Sequence, residues 1–299
     1  MSKYSKIYFI GIGGIGMSAI ARYYKFKGYP VAGYDRTPSD LTHALEKEGI
    51  DIHYKDDPDY IPKDVASTLV VYTPAIPADL QELVYVREHG YTLVKRSRML
   101  GELAEGQTCL AVAGTHGKTT TSTLVAHILT ESGKGCSAFL GGISKNYDTN
   151  LLTSHTPTIV AEADEFDRSF LQLHPAIAAI TAMDADHLDI YGTLEEYQKA
   201  FKEFASQVSR TLIVKYGLDI TADDTKARIL SYSYDNPSAD YHAANAKPDE
   251  VGHYIFDLVY PGGVIENIRV GIPGWVNVEN SVAAAAVCLC HGVSPEAVK

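Results

Sequence analysis

The sequence predicts an α/β protein made of two successive domains, each built on a parallel sheet. Short apolar runs typical of buried strands alternate with segments whose apolar residues recur at helical spacing. Such alternation is typical of parallel sheets covered by helices. A glycine cluster follows the first apolar run, and a second glycine loop follows a later one. With 299 residues, of which 45% are hydrophobic, the chain is long enough to build two cores.

The first predicted domain ends near residue 106. Its strand-like segments are KIYFIGI, PVAGYD and TLVVYT, and its helical segments are Ile15 to Lys27, LTHALEKEG and ADLQELVYVREHG. A second α/β unit begins after AEGQ, where the next glycine loop follows a new strand. The predicted domains are therefore residues 1–106 and residues 107–299.

The segment GIGGIGMSAIA predicts a pyrophosphate site in the first domain. It places Gly11, Gly13 and Gly16 in the G-x-G-x-x-G register after a strand, and Asp35 closes the next strand. This is the fingerprint of a dinucleotide bound at a helix N-terminus. NAD and a UDP-sugar are both candidate ligands, and a third possibility is that the glycines only let the first helix pack closely on the sheet. A second phosphate loop in the same chain argues against a hydride-transfer enzyme.

The segment AVAGTHGKTTT predicts a nucleotide-binding loop between a buried strand and a helix. Gly114 and Gly117 remove side chains where the backbone curls, so that several N–H groups can point at one anion. Lys118 adds a mobile positive charge, and Thr119 offers a hydroxyl to a hard cation such as Mg²⁺. The loop is a short G-x-x-G-K-T variant, because Val112 stands where the general pattern has its first glycine. We therefore predict a P-loop ATPase domain.

The rest of the second domain continues the α/β pattern. Further strand-like segments are TPTIVAEA, AIAAITAM and TLIVK, and a helix is predicted at LEEYQKAFKEFASQV. A hairpin with a Pro-Gly-Gly turn is predicted at HYIFDLVYPGGVIENIRVGI. The next segment, NVENSVAAAAVCLCHG, is predicted to be helical.

Acidic side chains follow two of these strands, at the edge of the sheet where the phosphate loop is expected. EADEFD contains Glu162, Asp164, Glu165 and Asp167, and DADHLDIYG contains Asp184, Asp186, His187, Asp189 and Tyr191. The carboxyl ends of parallel strands meet at one edge, so these groups would face bound phosphates across Mg²⁺. Glu162 and His187 are the preferred functional residues. We interpret Asp164, Asp167 and Asp184 as solvated loop ends.

Charge and cysteine usage exclude several classes of partner. The chain has 37 acidic and 26 basic residues, a net charge of −11, which disfavours non-specific binding to nucleic acid or to an anionic membrane. Its four cysteines lack the spacing of a zinc site and are expected to be buried free thiols of a cytoplasmic protein.

Taken in order, the segments GIGGIGMSAIA, YTPAI, AGTHGKTTT, EADEFD, DADHLDIYG and GWVNVEN resemble the ATP-dependent Mur ligase family over the whole chain. The resemblance is strongest to the branch that adds alanine. It implies a ligase of peptidoglycan biosynthesis that joins L-alanine to the lactyl carboxylate of UDP-N-acetylmuramate through an acyl phosphate. It also implies ATP and Mg²⁺ as cofactors, and a Rossmann-like first domain that holds the UDP-sugar.

The resemblance assigns a role to individual residues of both domains. The implied UDP-sugar contacts are Gly13, Gly14, Ile15, Gly16, Asp35, Thr73, Ala75 and Ile76. The implied ATP contacts are Gly114, Thr115, His116, Gly117, Lys118, Thr119, Thr120, Asn277 and Asn280, with the two asparagines near adenine. Lys118, Glu162 and His187 are the implied catalytic residues, and Thr119, Glu162 and His187 are the implied magnesium ligands.

Three positions depart from the family pattern. Relatives commonly carry Asn at Ala182, Glu at Asp184 and His at Val276, which weakens the adenine assignment of Asn277 in particular. No part of the 299 residues matches the family's third domain, so we expect the sequence to correspond to the first two domains. Two alternatives stay open: a ligase that adds another amino acid or a recycled peptide to the same UDP-sugar, and a nucleotide sensor without catalysis.

Overall fold

The computed structural model describes residues 3–299, apart from the side chain of Leu188. The chain forms two compact units. The first runs to Leu103 and includes Phe139–Thr153, and the second consists of Ala104–Ala138 and Ser154–Lys299. Residues 139–153 thus belong to the first unit although the sequence suggested an unbroken second domain. The assignment of residues 1–106 and 107–299 as two functional domains stays a prediction.

The secondary structure alternates strands and helices as the sequence predicted. The strands are β1 (Lys6–Ile10), β2 (Val31–Tyr34), β3 (Asp51–His53), β4 (Thr68–Tyr72), β5 (Thr92–Lys95), β6 (Thr108–Ala113), β7 (Ser137–Ser144), β8 (Thr149–Leu152), β9 (Thr158–Ala163), β10 (Ile177–Ile180), β11 (Thr211–Lys215), β12 (Arg228–Ser233), β13 (Tyr241–Pro248), β14 (Tyr254–Tyr260) and β15 (Gly263–Val270). The helices are α1 (Ile15–Phe26), α2 (Asp40–Lys47), α3 (Gln81–Glu88), α4 (Arg96–Ala104), α5 (Lys118–Glu131), α6 (Leu188–Tyr191), α7 (Leu194–Ser206), α8 (Trp275–Cys290) and α9 (Pro295–Val298).

The sheet of the first unit is parallel, with the strand order β3-β2-β1-β4-β5. The order reverses at β1, which pairs with β2 on one side and β4 on the other. Ile10 is level with Tyr72 in the pairing of β1 with β4, so the loops that follow these two strands start side by side. The crevice at such a switch point is where open α/β sheets bind ligands.

The second unit has a longer sheet, in which β15-β14-β13-β12-β11-β10-β6-β9 are successive neighbours. The strands from β13 to β9 run parallel, and β14 and β15 extend the sheet as an antiparallel hairpin at the predicted Pro-Gly-Gly turn. Ala113 of β6 is level with Ala163 of β9 and with Ile180 of β10. The loops after these three strands therefore lie together at one edge, which confirms the predicted α/β fold class.

The core of the first unit contains a buried polar network as well as apolar side chains. Its apolar members include Ile10, Ile61, Val70, Leu83 and Val86. The Tyr8 hydroxyl donates to Glu82 Oε2 at 2.6 Å and lies 2.6 Å from His53 Nε2.

Burial sets the protonation of this network. The Glu82 side chain has no exposed surface, and burial raises the pKa of its carboxyl to about 7. Burial also lowers the pKa of His53. Both shifts favour the neutral forms of these groups, so that Glu82 stays protonated at pH values well above its ordinary pKa of 4.5.

Several elements were not predicted, for identifiable reasons. Strands β3 and β5 contain three and four residues, too few to show a clear alternation. The hydrogen-bonded strands β7 and β8 carry polar and glycine residues, and β8 packs on α1 within the first unit. Among the described residues, no helix combines the length and the apolar character needed to cross a bilayer.

Candidate functional site: two glycine loops at sheet edges

The first glycine loop connects β1 to α1 and has little space for side chains. Gly11 has a φ of 86°, in the left-handed region. A Cβ on Gly13 would lie 2.7 Å from Thr42 Cγ2 and 2.8 Å from Asp35 Oδ2. The Gly13 N–H donates to Asp35 Oδ2 at 2.7 Å, so the structure fixes the predicted acid directly against the predicted loop.

The loop after β4 lies beside this glycine loop. A Cβ on Gly11 would lie 3.0 Å from Thr73 Cγ2 and 3.2 Å from Ile76 Cγ2. Ala75 is held in the same turn, where its N–H donates to Thr73 Oγ1 at 3.4 Å. The structure therefore brings the two separate sequence segments predicted for the UDP-sugar into contact at the switch point.

The start of α1 is the open part of this site. Gly14 is the N-cap of α1 and has no side-chain cap, and Ile15 is exposed in the first turn. Gly16 is tightly packed, because a Cβ there would lie 2.8 Å from Arg96 Nη1. Uncapped N–H groups at a helix N-terminus attract anions, so the geometry fits a pyrophosphate.

The second glycine loop connects β6 to α5, and its glycines are required by close packing. Gly114 has a φ of 135°, and a Cβ there would collide with Thr181 Oγ1 and lie 2.7 Å from Ala182 N. Gly117 is left-handed, with a φ of 81°, and its Cβ would lie 2.7 Å from Asn280 Oδ1. The short G-x-x-G-K-T loop is thus enclosed by the segment after β10 and by α8.

Two of the residues that depart from the family pattern, Ala182 and Asp184, contact the phosphate loop through their backbone atoms. The Thr115 N–H donates to the carbonyl of Ala182 at 3.2 Å, and the Thr115 hydroxyl donates to the carbonyl of Asp184 at 3.0 Å. The Asp184 side chain itself is exposed, 3.9 Å from His116 Nε2. Because both contacts use main-chain oxygens, they do not depend on which side chain stands at these positions.

Lys118 begins α5 and carries the positive charge of the loop. Its Nζ donates to the carbonyl of Gly114 at 2.7 Å and lies 2.9 and 2.8 Å from the two carboxylate oxygens of Glu165. Glu165 is only 1% exposed, whereas its neighbours Asp164 and Asp167 are not buried. Glu165 has no role predicted from the sequence, because the pattern of acids after a strand does not show which of them is buried.

Thr119 and Glu162 form the predicted cation-binding pair. The Thr119 hydroxyl donates to Glu162 Oε1 at 3.1 Å, which joins the start of α5 to the end of β9. Thr120 follows in the same helical turn and is partly buried. A hydroxyl and a carboxylate are hard oxygen donors, the ligands that Mg²⁺ prefers.

His187 lies in a separate group of possible ligands. Its imidazole, a Glu165 oxygen and an Asp186 oxygen all lie within 4.8 Å of one another. The His187 ring also packs edge-on against Phe166, with ring centroids 5.3 Å apart. Of the three predicted magnesium ligands, Thr119 and Glu162 thus contact each other, and His187 is grouped with Glu165 and Asp186.

The predicted adenine residues lie at the start of α8. Asn280 is buried, and its Nδ2 donates to Asn277 Oδ1 at 3.3 Å. Asn280 Oδ1 accepts from the hydroxyl of Thr121 on α5 at 3.4 Å. Asn280 therefore packs against the phosphate loop and the start of α5. A role at adenine stays a prediction for Asn280 and for the more exposed Asn277.

Tyr197 is a second residue that the sequence did not single out. Its hydroxyl lies 3.0 Å from Thr115 Oγ1 and donates to Glu165 Oε1 at 3.4 Å, and burial raises the pKa of this phenol. The Tyr191 hydroxyl donates to the carbonyl of Glu165 at 2.6 Å. The two tyrosines therefore connect α6 and α7 to the acid that pairs with Lys118.

The fold is α/β, with one glycine loop between β1 and α1 and a second between β6 and α5. Residues 6–108 match the family model described as "Mur ligase family, catalytic domain". Residues 112–288 match the model described as "Mur ligase middle domain". The chain belongs to the Mur ligase family, as its motifs predicted.

Individual relatives carry a consistent name. The chain is 50% identical over 301 residues to a UDP-N-acetylmuramate–L-alanine ligase of Porphyromonas gingivalis, covering 98% of the chain and 66% of that protein. It is 45% identical over 303 residues to the protein of the same name from Flavobacterium johnsoniae, covering 100% of the chain and 65% of that protein. The chain thus spans about two thirds of the length of these relatives.

Solved structures agree on the fold. The UDP-N-acetylmuramate-alanine ligase of Thermotoga maritima superposes with a TM-score of 0.85 at 28% identity, over 98% of this chain and 66% of that one. The UDP-N-acetylmuramate:L-alanyl-gamma-D-glutamyl-meso-diaminopimelate ligase from Neisseria meningitides superposes with a TM-score of 0.86 at 23% identity, over 99% and 96% of the two chains. The second similarity concerns the fold alone.

Proposed function

We propose that this protein is an ATP-dependent ligase that joins L-alanine to the lactyl carboxylate of UDP-N-acetylmuramate, a step of peptidoglycan biosynthesis in the cytoplasm. The observation that carries the proposal is the enclosed loop Gly114–Thr119, with Lys118 at its centre and Thr119 beside Glu162. The names of the relatives at 45–50% identity supply the substrates.

The residues of the second unit fit ATP and Mg²⁺. In the proposed role the loop N–H groups and Lys118 hold phosphate oxygens, and Thr119 and Glu162 hold Mg²⁺ through hard oxygen atoms. Bound Mg²⁺ supplies positive charge that offsets the charge of the transferring phosphoryl group. His187 and its neighbour Asp186 are proposed to serve a second cation.

The first unit is proposed to bind the UDP-sugar. The N–H groups of Ile15 and Gly16 in the first turn of α1 would take the pyrophosphate, because no side chain caps this helix start. Gly14 would lie beside the pyrophosphate, with its N–H 3.4 Å from the carbonyl of Gly11. Asp35, fixed by the Gly13 N–H, would face the uridine side, with Thr73 and Ile76 along the sugar-nucleotide.

Two other functions would differ from this one in the amine they require or in the release of phosphate. A ligase for another amino acid or a recycled peptide would bind the same UDP-sugar but would require a different amine. A nucleotide sensor would bind ligand without releasing phosphate, and it has no need for the Thr119–Glu162 pair.

Ligand titration with a Gly14→Ala variant tests the proposal for the first unit. A Cβ on Gly14 meets its neighbours only at 3.6 Å or more, and the residue has an ordinary φ of −64°, so the fold should tolerate the change. We expect calorimetry to show UDP-N-acetylmuramate affinity lowered at least about tenfold, since a methyl group at the helix start blocks close approach of the pyrophosphate. ATP affinity should be unchanged.

The matched control is Gly271→Ala, because a Cβ at Gly271 meets nothing within 4 Å.

The wild-type chain should gain thermal stability with UDP-N-acetylmuramate, by about 2.7 kcal/mol at one hundred times Kd, and none with NAD. Saturable NAD binding with a comparable gain would overturn the proposed use of the first loop.

A further inference from the structure

The charge of Lys118 is already balanced by the protein itself. Its ammonium lies 2.8 and 2.9 Å from both carboxylate oxygens of Glu165, and it donates to the carbonyl of Gly114. The Lys118 side chain is 15% exposed and that of Glu165 is 1% exposed. A phosphate that reaches this lysine must therefore share it with a buried carboxylate or displace that carboxylate.

Glu165 is fixed in place from several directions. The Tyr191 hydroxyl donates to its carbonyl, and the Tyr197 hydroxyl lies 3.4 Å from Oε1. A buried carboxylate that loses a cationic partner is strongly unfavourable. Here an alternative lies close by, because Asp186 and His187 offer ligand atoms within 4.8 Å of the same carboxylate.

We propose that Glu165 is a positioning residue that competes with the nucleotide's phosphates for Lys118. The pairing orients the lysine within the loop, and nucleotide affinity is reduced by the free energy of separating the pair. A divalent cation near Glu165, Asp186 and His187 would replace the lysine as partner of the carboxylate, so the competition would be strongest when no divalent cation is present. This inference rests on the proposed function of the loop as an ATP site.

The test is the affinity for ATP in the presence of EDTA, measured by calorimetry on wild type and Glu165→Gln. The amide keeps the shape of the side chain but removes the negative charge that holds Lys118. We expect Glu165→Gln to bind metal-free ATP at least about fivefold more tightly than wild type, because the variant has no negative charge at this position to compete with the phosphates for Lys118. A residue that only supported the loop would give the opposite sign, namely weaker binding.

Two further variants complete the test. Glu203→Gln removes the same charge from an exposed position on α7 and should leave ATP affinity unchanged, which excludes an effect of net charge alone. Glu165→Asp withdraws the carboxylate by one methylene and should tighten binding by a smaller factor. If thermal unfolding shows that Glu165→Gln does not fold, the ATP affinity of Glu165→Asp tests the competition for Lys118 in its place.

The outcomes separate the two proposals. If wild type binds no ATP with or without Mg²⁺, the proposed function of the loop fails. If wild type binds ATP and the Glu165 variants bind it equally or more weakly in EDTA, the competition is overturned while the ATP site stands.

Discussion

Lys118→Ala is expected to reduce alanine-dependent phosphate release by about 10³-fold or more and to leave the affinity for UDP-N-acetylmuramate within about twofold. Cations on a transferring phosphoryl group typically contribute factors of this size, because positioned charge is the main means of catalysis in such reactions. Lys118 is the cation of the enclosed loop, whereas the proposed UDP-sugar residues belong to the other unit. Phosphate release is to be measured in the complete gene product, and UDP-sugar binding by calorimetry.

Two controls make the result specific. Lys199→Ala removes an exposed lysine of α7 and should change neither quantity. The double variant Lys118→Ala, Glu165→Gln tests whether the loss arises from an unpaired buried carboxylate, because in that case removing its charge would restore activity. Equal loss of phosphate release and UDP-sugar binding in the single variant would contradict the model of two separate sites.

The features of the candidate site that could be predicted from the sequence are those set by local chemistry. Gly114 and Gly117 were recognised because a curled strand-to-helix turn requires residues without side chains, and both have positive φ values. Asp35 was recognised from its spacing after the glycine cluster, and it contacts Gly13. Patterns of this kind depend on neighbours in sequence and on the edge rule for parallel sheets.

The parts that were missed depend on three-dimensional packing. EADEFD contains several acids, and only the structure shows that Glu165 is buried on Lys118 while Asp164 and Asp167 are not. Asn280 lies more than 150 residues from the loop that it supports, a contact that no spacing rule predicts. The return of residues 139–153 to the first unit likewise depends on long-range contacts, such as the Asn150 amide donating to the carbonyl of Ile15.

The network around Glu82 was also missed, because His53 and Glu82 are 29 positions apart and look like ordinary polar residues. Glu82 Oε1 accepts from the Asp57 N–H at 3.3 Å. Burial is the main cause that raises the pKa of Glu82, the hydrogen bonds from Tyr8 and from the Asp57 N–H lower it, and the charges of Asp56 and Asp57 raise it. The carboxyl therefore keeps its proton up to about pH 7 in the folded chain, whereas its ordinary pKa is 4.5. Between these two values the folded state holds more protons than the unfolded state.

The raised pKa of Glu82 makes the free energy of unfolding depend on pH. Stability falls as pH rises wherever the folded state binds more protons, so Glu82 should reduce the free energy of unfolding by roughly 3 kcal/mol in total between pH 4.5 and 7. Above pH 7 both states are ionised, and its contribution becomes constant. Burial lowers the pKa of His53, which acts in the opposite direction below pH 6.5.

Glu82→Gln is expected to remove the Glu82 contribution and leave that of His53. The stability of the variant relative to wild type should rise by roughly 3 kcal/mol from pH 4.5 to pH 7 and then remain constant, because the amide never ionises. Hydrogen exchange of the β1 amides, compared between the two proteins at each pH, measures this difference within the first unit. Glu88→Gln, an exposed change on the same helix, should give a flat difference. A flat difference for Glu82→Gln as well would mean that this carboxyl ionises in the folded chain near its ordinary pKa, and that the buried network does not hold its proton.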